Sequence, residues 1–194
     1  SVDASLDAST SAQLATGANI TTGGSFTLRA ESHNATDTDA DGGSGSLIDI
    51  AFAEGDSTLT DATGITVDNG VSVVADGAVL VESLQWLDLE MDVSVDSGGL
   101  GAHADADGAA TISAGVTTDI GGATLEGTTV TVLARVEDLF ADVDVVSEAD
   151  ALGADSDATA SLDTTSKATT TVRADANLNG GTKVTIGAYH DEID

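Results

Sequence analysis

Residues 154–178 read ADSDATASLDTTSKATTTVRADANL. Taken every second residue from Ala154, the stretch is small or apolar throughout, through Ala158, Ala160, Leu162, Val172 and Ala174 to Leu178, with Ser and Thr interspersed. The residues between, from Asp155 and Asp157 through Lys167 to Arg173 and Asn177, are all polar. Successive side chains of an extended chain point to opposite faces, so this period of two marks a half-buried β-strand. A straight strand of that length would run roughly 80 Å at ~3.3 Å per residue, far beyond the usual ~5–6 residues. The chain must therefore bend repeatedly while keeping one face inside, or form unusually long ribbons. The first option is an all-β, parallel β-helix-like solenoid, with Ala158, Ala160, Leu162, Val172, Ala174 and Leu178 expected inward.

The same pattern extends outward from this tract. Over Leu84–Asp96, Leu87, Leu89, Met91, Val93 and Val95 alternate with Asp88, Glu90, Asp92, Ser94 and Asp96. Even-numbered small residues continue from Leu100 to Val116, and a more apolar strand surrounds Ile48, Ile50 and Phe52. Gly23-Gly24, Gly42-Gly43, Asn69-Gly70 and Gly98-Gly99 punctuate the strands, and such residues supply the positive φ that tight corners need. Apolar spacing at three and four is absent where alternation holds, and Val, Thr and Gly dominate, so no helix is expected.

A motif recurs within this alternation. Gly17-Ala18-x-Ile20-x-x-Gly23-Gly24-x-Phe26-x-Leu28-x-Ala30 is echoed over Ala123–Ala134 and Ala176–Ala188, and more loosely from Ala78. The copies begin near residues 18, 78, 123 and 176, at irregular intervals of roughly 45 to 60 residues, within the range expected of stacked arrays. A single elongated domain over 1–194 is the expectation. The motif resembles the repeats of filamentous-haemagglutinin-like, large bacterial β-solenoid adhesin exoproteins. That resemblance implies an elongated extracellular or cell-surface coil used in adhesion or surface structure.

Composition narrows the chemistry. Lys and Arg total 5 against 34 Asp and Glu, a formal charge of −29. Phosphate neutralisation needs clustered Lys and Arg, so nucleic acid and anionic membrane are poor partners. The acidity favours cations, a high-salt milieu or a cationic partner. Leu, Ile, Val and Phe make up about 23% of the chain, just above the ~20% below which disorder is expected. Aromatics are 3%, so a thin core of Ala, Val, Thr and Leu fits better than a thick globular one. There is no Cys, hence no disulfide or thiolate metal site, and no apolar run long enough for a membrane-spanning helix. A chain that opens at Ser1 without a leader is expected to be a mature, processed or excerpted product.

Asp37-Thr38-Asp39-Ala40-Asp41-Gly42 reads D-x-D-x-D-G, the opening of an EF-hand-type loop, and Asp105-Ala106-Asp107-Gly108 echoes it. Hard oxygens spaced by two with Gly at the turn suit Ca²⁺, although Ile48 stands where the bidentate Glu belongs. Asp37, Asp39, Asp41, Asp105 and Asp107 are thus the candidate calcium ligands. His190-Asp191-Glu192 is a weaker chelating set, and Asn19-Ile20-Thr21 and Asn34-Ala35-Thr36 are N-glycosylation sequons. Asp142 and Asp144 are paired carboxylates without a nearby base, so no enzyme is expected. The expected function is a structural or adhesive protein assembling head to tail into a filament or surface fibre, with glycans or proteins of a cell surface as further partners. A calcium-responsive binding segment of a giant adhesin is the alternative.

Overall fold

A computed structural model describes residues 1–191 and 193, and it is all-β with no helix among them. The strands are β1 (Val2–Leu14), β2 (Asn19–Thr22), β3 (Phe26–Gly45), β4 (Ile48–Val67), β5 (Ser72–Ala75), β6 (Val79–Gly99), β7 (Gly101–Ile120), β8 (Thr124–Ala151), β9 (Ala154–Val172) and β10 (Asn177–His190). Several hold about 20 residues and so span about 66 Å each.

One sheet has the order β1-β4-β7-β9. The other joins β2 and β3 to β5 and β6, these to β8, and β8 to β10. Every pairing is parallel. Parallel neighbours need a long crossover, and here each strand of one sheet is the crossover for the other. Partners lie 51 to 54 positions apart, as in Val79 with Val130, Val2 with Gly55, and Thr129 with Lys183.

This step is more regular than the spacing of the sequence motif. Asn19 pairs with Ser72, Ser72 with Thr124, and Thr124 with Asn177. The second tier therefore begins at Val71, not at the copy near Ala78. Gly77-Ala78 imitates a motif start but sits at the next corner, where Gly77 N donates to Gly24 O and Ala78 N to Ser25 Oγ. Among the described residues positive φ is confined to Gly17 (80°) and Gly70 (73°), so the Gly23-Gly24 corner turns without it.

Burial alternates residue by residue, as the period-two pattern requires. Leu87, Leu89, Met91, Val93 and Val95 are all inward and buried between the sheets. Two apolar clusters form the core, one around Leu59, Leu89 and Ile112, the other around Ile65, Val79 and Leu125. Between them runs a belt of buried polar residues that includes Ser32, Asp61, Thr63, Ser83, Gln85 and Thr118. Gln85 Nε2 donates to Asp61 O at 3.1 Å, and Thr118 Oγ1 to Leu133 O at 2.7 Å. Asp61 Oδ1 and Gln85 Oε1 have no hydrogen-bond partner among the described residues. At this belt β8 carries an extra residue: Gln85 pairs with Val136, but Trp86 pairs with Asp138. Such bulges bend the strand and re-aim its side chains.

The expectation of burial changes for part of the inward set. Ala158, Ala160 and Leu162 keep the inward phase, paired with the inward Ala106, Gly108 and Ala110, yet all three are exposed, Leu162 at 49%. β10 stops at His190, beside Val136, so among the described residues this half of β9 faces β8 but has no strand of its own tier opposite it. Val172 and Leu178 are half-buried, whereas Ala174 lies exposed in the turn after β9. Ile48, Ile50 and Phe52 occupy the outward positions of β4 and are exposed, because Asp49, Ala51 and Ala53 take the inward ones.

Candidate functional site

Asp37, Asp39 and Asp41 all project from the outer face of β3. They do not form a loop. Residues two apart on a strand lie about 6.6 Å from each other, whereas Ca²⁺ draws six to eight oxygens to within ~2.6 Å. The following glycine is not a turn residue either. Gly42 is mid-strand, and a Cβ there would stand 2.8 Å from Phe52 O. At Gly108, in β7, a Cβ would meet Val145 Cγ2 at 2.7 Å and Met91 Cε at 2.9 Å. Both glycines let the facing sheet approach.

What the register does instead is place carboxylates side by side across strands. Asp37, Glu90 and Asp142 form one row over β3, β6 and β8, and Asp39, Asp92 and Asp144 the next. Neighbouring strands are ~4.8 Å apart, closer than outward residues along one strand. The six carboxylates line a shallow depression of about 350 Å³. Loss of water around Asp92 in this crowd, then the charges of Asp144, Asp39 and Asp41, raise its pKa above the ordinary value. In the third row Ser94 Oγ donates to Asp41 Oδ1.

Asp105 and Asp107 belong to the other sheet and do not join this array. Asp105 is flanked by Phe52 and Asp157, Asp107 by Glu54 and Thr159. Among the described residues no three His, Asp or Glu side chains are arranged to hold a metal ion. The three histidines are also apart: His33 lies on β3, His103 beside Asp155 on β7 (Nδ1 to Oδ2 3.8 Å), and His190 against Ser166 Oγ at 2.9 Å. Glu192, the last member of the C-terminal set, lies outside the described residues. Two carboxylates elsewhere are held below their usual range: Asp49 by hydrogen bonds led by Ser44 Oγ, and Asp119 by the guanidinium of Arg173, which donates at 3.1 and 2.5 Å.

A second depression, of about 520 Å³, lies on the same outer face next to the bulge. His33, Trp86 and Asp138 form one row there, and Ala35, Asp88 and Phe140 the next. The His33 and Trp86 rings stack, with centroids 4.1 Å apart and planes 6° from parallel. Sequence reading missed this site, because residues 33, 86 and 140 are linked only by the pairing offset. Applied to Asp37 and Asp39, the same offset would have found Glu90 and Asp92.

No family model, no curated protein and no solved structure matches this chain.

Proposed function

We propose that this chain is a β-solenoid of the adhesin-like type, acting as an extracellular structural or adhesive subunit that stacks head to tail into a filament. One observation carries the reading. Inward residues of the last tier are exposed while their paired partners one tier earlier are buried. Ile186 is 50% exposed beside Val132 at 0%, and Val184 is 40% exposed beside Val130 at 0%. In the described residues β9 and β10 each pair on one side only, as do β1, β2 and β3 at the opposite end. Unpaired strand edges template further strands. Because all pairings are parallel, an incoming first tier can continue both sheets in the same direction, and a contact of this head-to-tail kind does not close.

The test is electron microscopy of the chain at rising concentration, with Val184→Asp plus Ile186→Asp as the variant. Fibres from the parent and none from the variant, with unchanged circular dichroism, are the expected result. Isolated particles of the parent at every concentration would refute the assembly.

The carboxylate rows favour a second reading, a calcium-responsive binding segment. Two rows of three carboxylates at strand spacing repel one another, and a divalent cation bridging neighbouring strands relieves that repulsion. The reading makes the cation a shared counterion of Asp37, Asp39, Glu90, Asp92, Asp142 and Asp144, whose side chains form no ready ligand set as they stand, and leaves Asp105 and Asp107 as a separate outward pair.

A further inference from the structure

The depression beside the bulge gathers aromatic residues that are scarce in this chain. The chain has only five Phe, Trp and Tyr residues, and two of them, Trp86 and Phe140, line this one hollow half-buried. The extra residue in β8 creates it. The shift at Glu137 brings Asp138 beside Trp86 and Phe140 beside Asp88, while the small Ala35 leaves room between them.

Two kinds of polar group remain free there, carboxylates and the single indole N–H of Trp86. Asn34 Nδ2 already donates to Ser32 Oγ at 2.8 Å, and His33 Nε2 is engaged with Glu31 Oε1 at 2.9 Å. Backbone groups of β6 are spent in ladders on both sides, and the unpaired ones of β3 and β8 lie in the plane of the sheet along its outer edges, not on the face that carries the hollow. Asp88 and Asp138 make no side-chain hydrogen bond among the described residues, and no Lys or Arg lines the hollow. Ionised carboxylates accept and do not donate. The hollow therefore offers aromatic surface, two carboxylates and one indole donor, with net negative charge.

We infer that it binds a guanidinium group, an arginine side chain presented by a partner polypeptide. Guanidinium is donor-only, planar and cationic: it stacks on aromatic rings and bonds a carboxylate through two parallel N–H groups. A sugar is a poorer fit, since its hydroxyls can donate to Asp88 and Asp138 but leave both negative charges uncompensated. The arginine comes from another protein, because this chain's own are engaged: Arg29 with Glu82 at 2.7 Å, Arg135 with Glu137 and Asp191, and Arg173 with Asp119. The hollow forms within one chain, so the inference stands apart from the assembly reading.

Trp86 is the single tryptophan, which makes its fluorescence a reporter of this site alone. The full chain is titrated with acetyl-Gly-Arg-Gly-amide, with the citrulline and lysine counterparts, and with cellobiose. A saturable change with the arginine peptide is expected, about tenfold weaker with citrulline, which keeps the shape and loses the charge. Asp88→Asn with Asp138→Asn should weaken arginine binding about tenfold, while Asp37→Asn with Asp39→Asn, removing equal charge nearby, should change it less than about twofold at matched ionic strength. Equal binding of citrulline, equal loss in both double variants, tighter binding of cellobiose, or no saturable change would each overturn the assignment.

Discussion

Residues 87–95 and residues 154–162 carry the same alternation, yet they meet opposite fates. In β6, Leu87, Leu89, Met91, Val93 and Val95 are each at most 2% exposed. In β9, Ala158, Ala160 and Leu162 keep the same inward phase and are exposed. β6 has strands on both sides, β3 and β8, and a facing sheet that spans its length. β9 has a neighbour on one side only among the described residues. Phase is a property of the strand, whereas burial is a property of the next tier.

The comparison is broken most directly by truncating one leucine in each region. Leu89→Ala should cost about 2–5 kcal/mol, the range for buried leucines, and Leu162→Ala under about 1 kcal/mol. Denaturant titration of the monomer checks this, and similar losses at both sites would mean that β9 is covered. In assembled fibres the loss at Leu162 should rise towards that at Leu89.

Adding volume gives the second contrast. Gly108 and Ala160 are paired partners in adjacent strands. Gly108→Val must displace Val145 and Met91 and should cost about 1–3 kcal/mol. Ala160→Val enters open space and should shift the melting temperature little. Equal effects would remove the distinction between inner and outer tiers.

The carboxylate rows sharpen the comparison on the outer face, since they exist only where β3, β6 and β8 lie together. Ca²⁺ should raise the melting temperature more than Na⁺ at matched ionic strength, by mass action added to screening. Asp37→Ala with Asp39→Ala should remove most of the excess, and an unchanged excess would place the ion elsewhere. Asp92→Asn should by itself stabilise the protein at neutral pH. Its raised folded pKa means that the native state binds the proton more tightly, so the parent loses stability as pH climbs through and above the ordinary carboxylate value.

The smallest effect concerns the clasp between the third and fourth tiers. Arg173 follows β9 and reaches back to Asp119 in β7. The lowered pKa of Asp119 contributes stability that is present above the ordinary carboxylate value and lost as pH falls through the folded one. Asp119→Asn should therefore flatten the stability profile between about pH 5 and 2. For a pair this exposed the change at neutral pH should be about 1 kcal/mol or less. A profile unchanged by the substitution would show that the clasp carries no stability.

By itself the sequence determined that the chain is all-β and, where apolar and polar residues alternate cleanly, which of them face in, because successive side chains of a strand point to opposite faces. Leu87 to Val95 and Ala158 to Leu162 were both legible in this sense. Over Ile48–Phe52 the apolar residues face out and Asp49 faces in, a phase only the packing decided. The tertiary structure decided everything that depends on which strands are neighbours. The 51 to 54 residue offset turned Asp37, Asp39 and Asp41 from a supposed loop into members of cross-strand rows, and it made Gly42 and Gly108 packing residues. One extra residue at Glu137 set Trp86 beside Asp138 and Phe140 beside Asp88. Pairing offset and bulge arise from contacts some fifty residues apart, fixed by how two sheets fill the space between them, and local pattern carries no record of that.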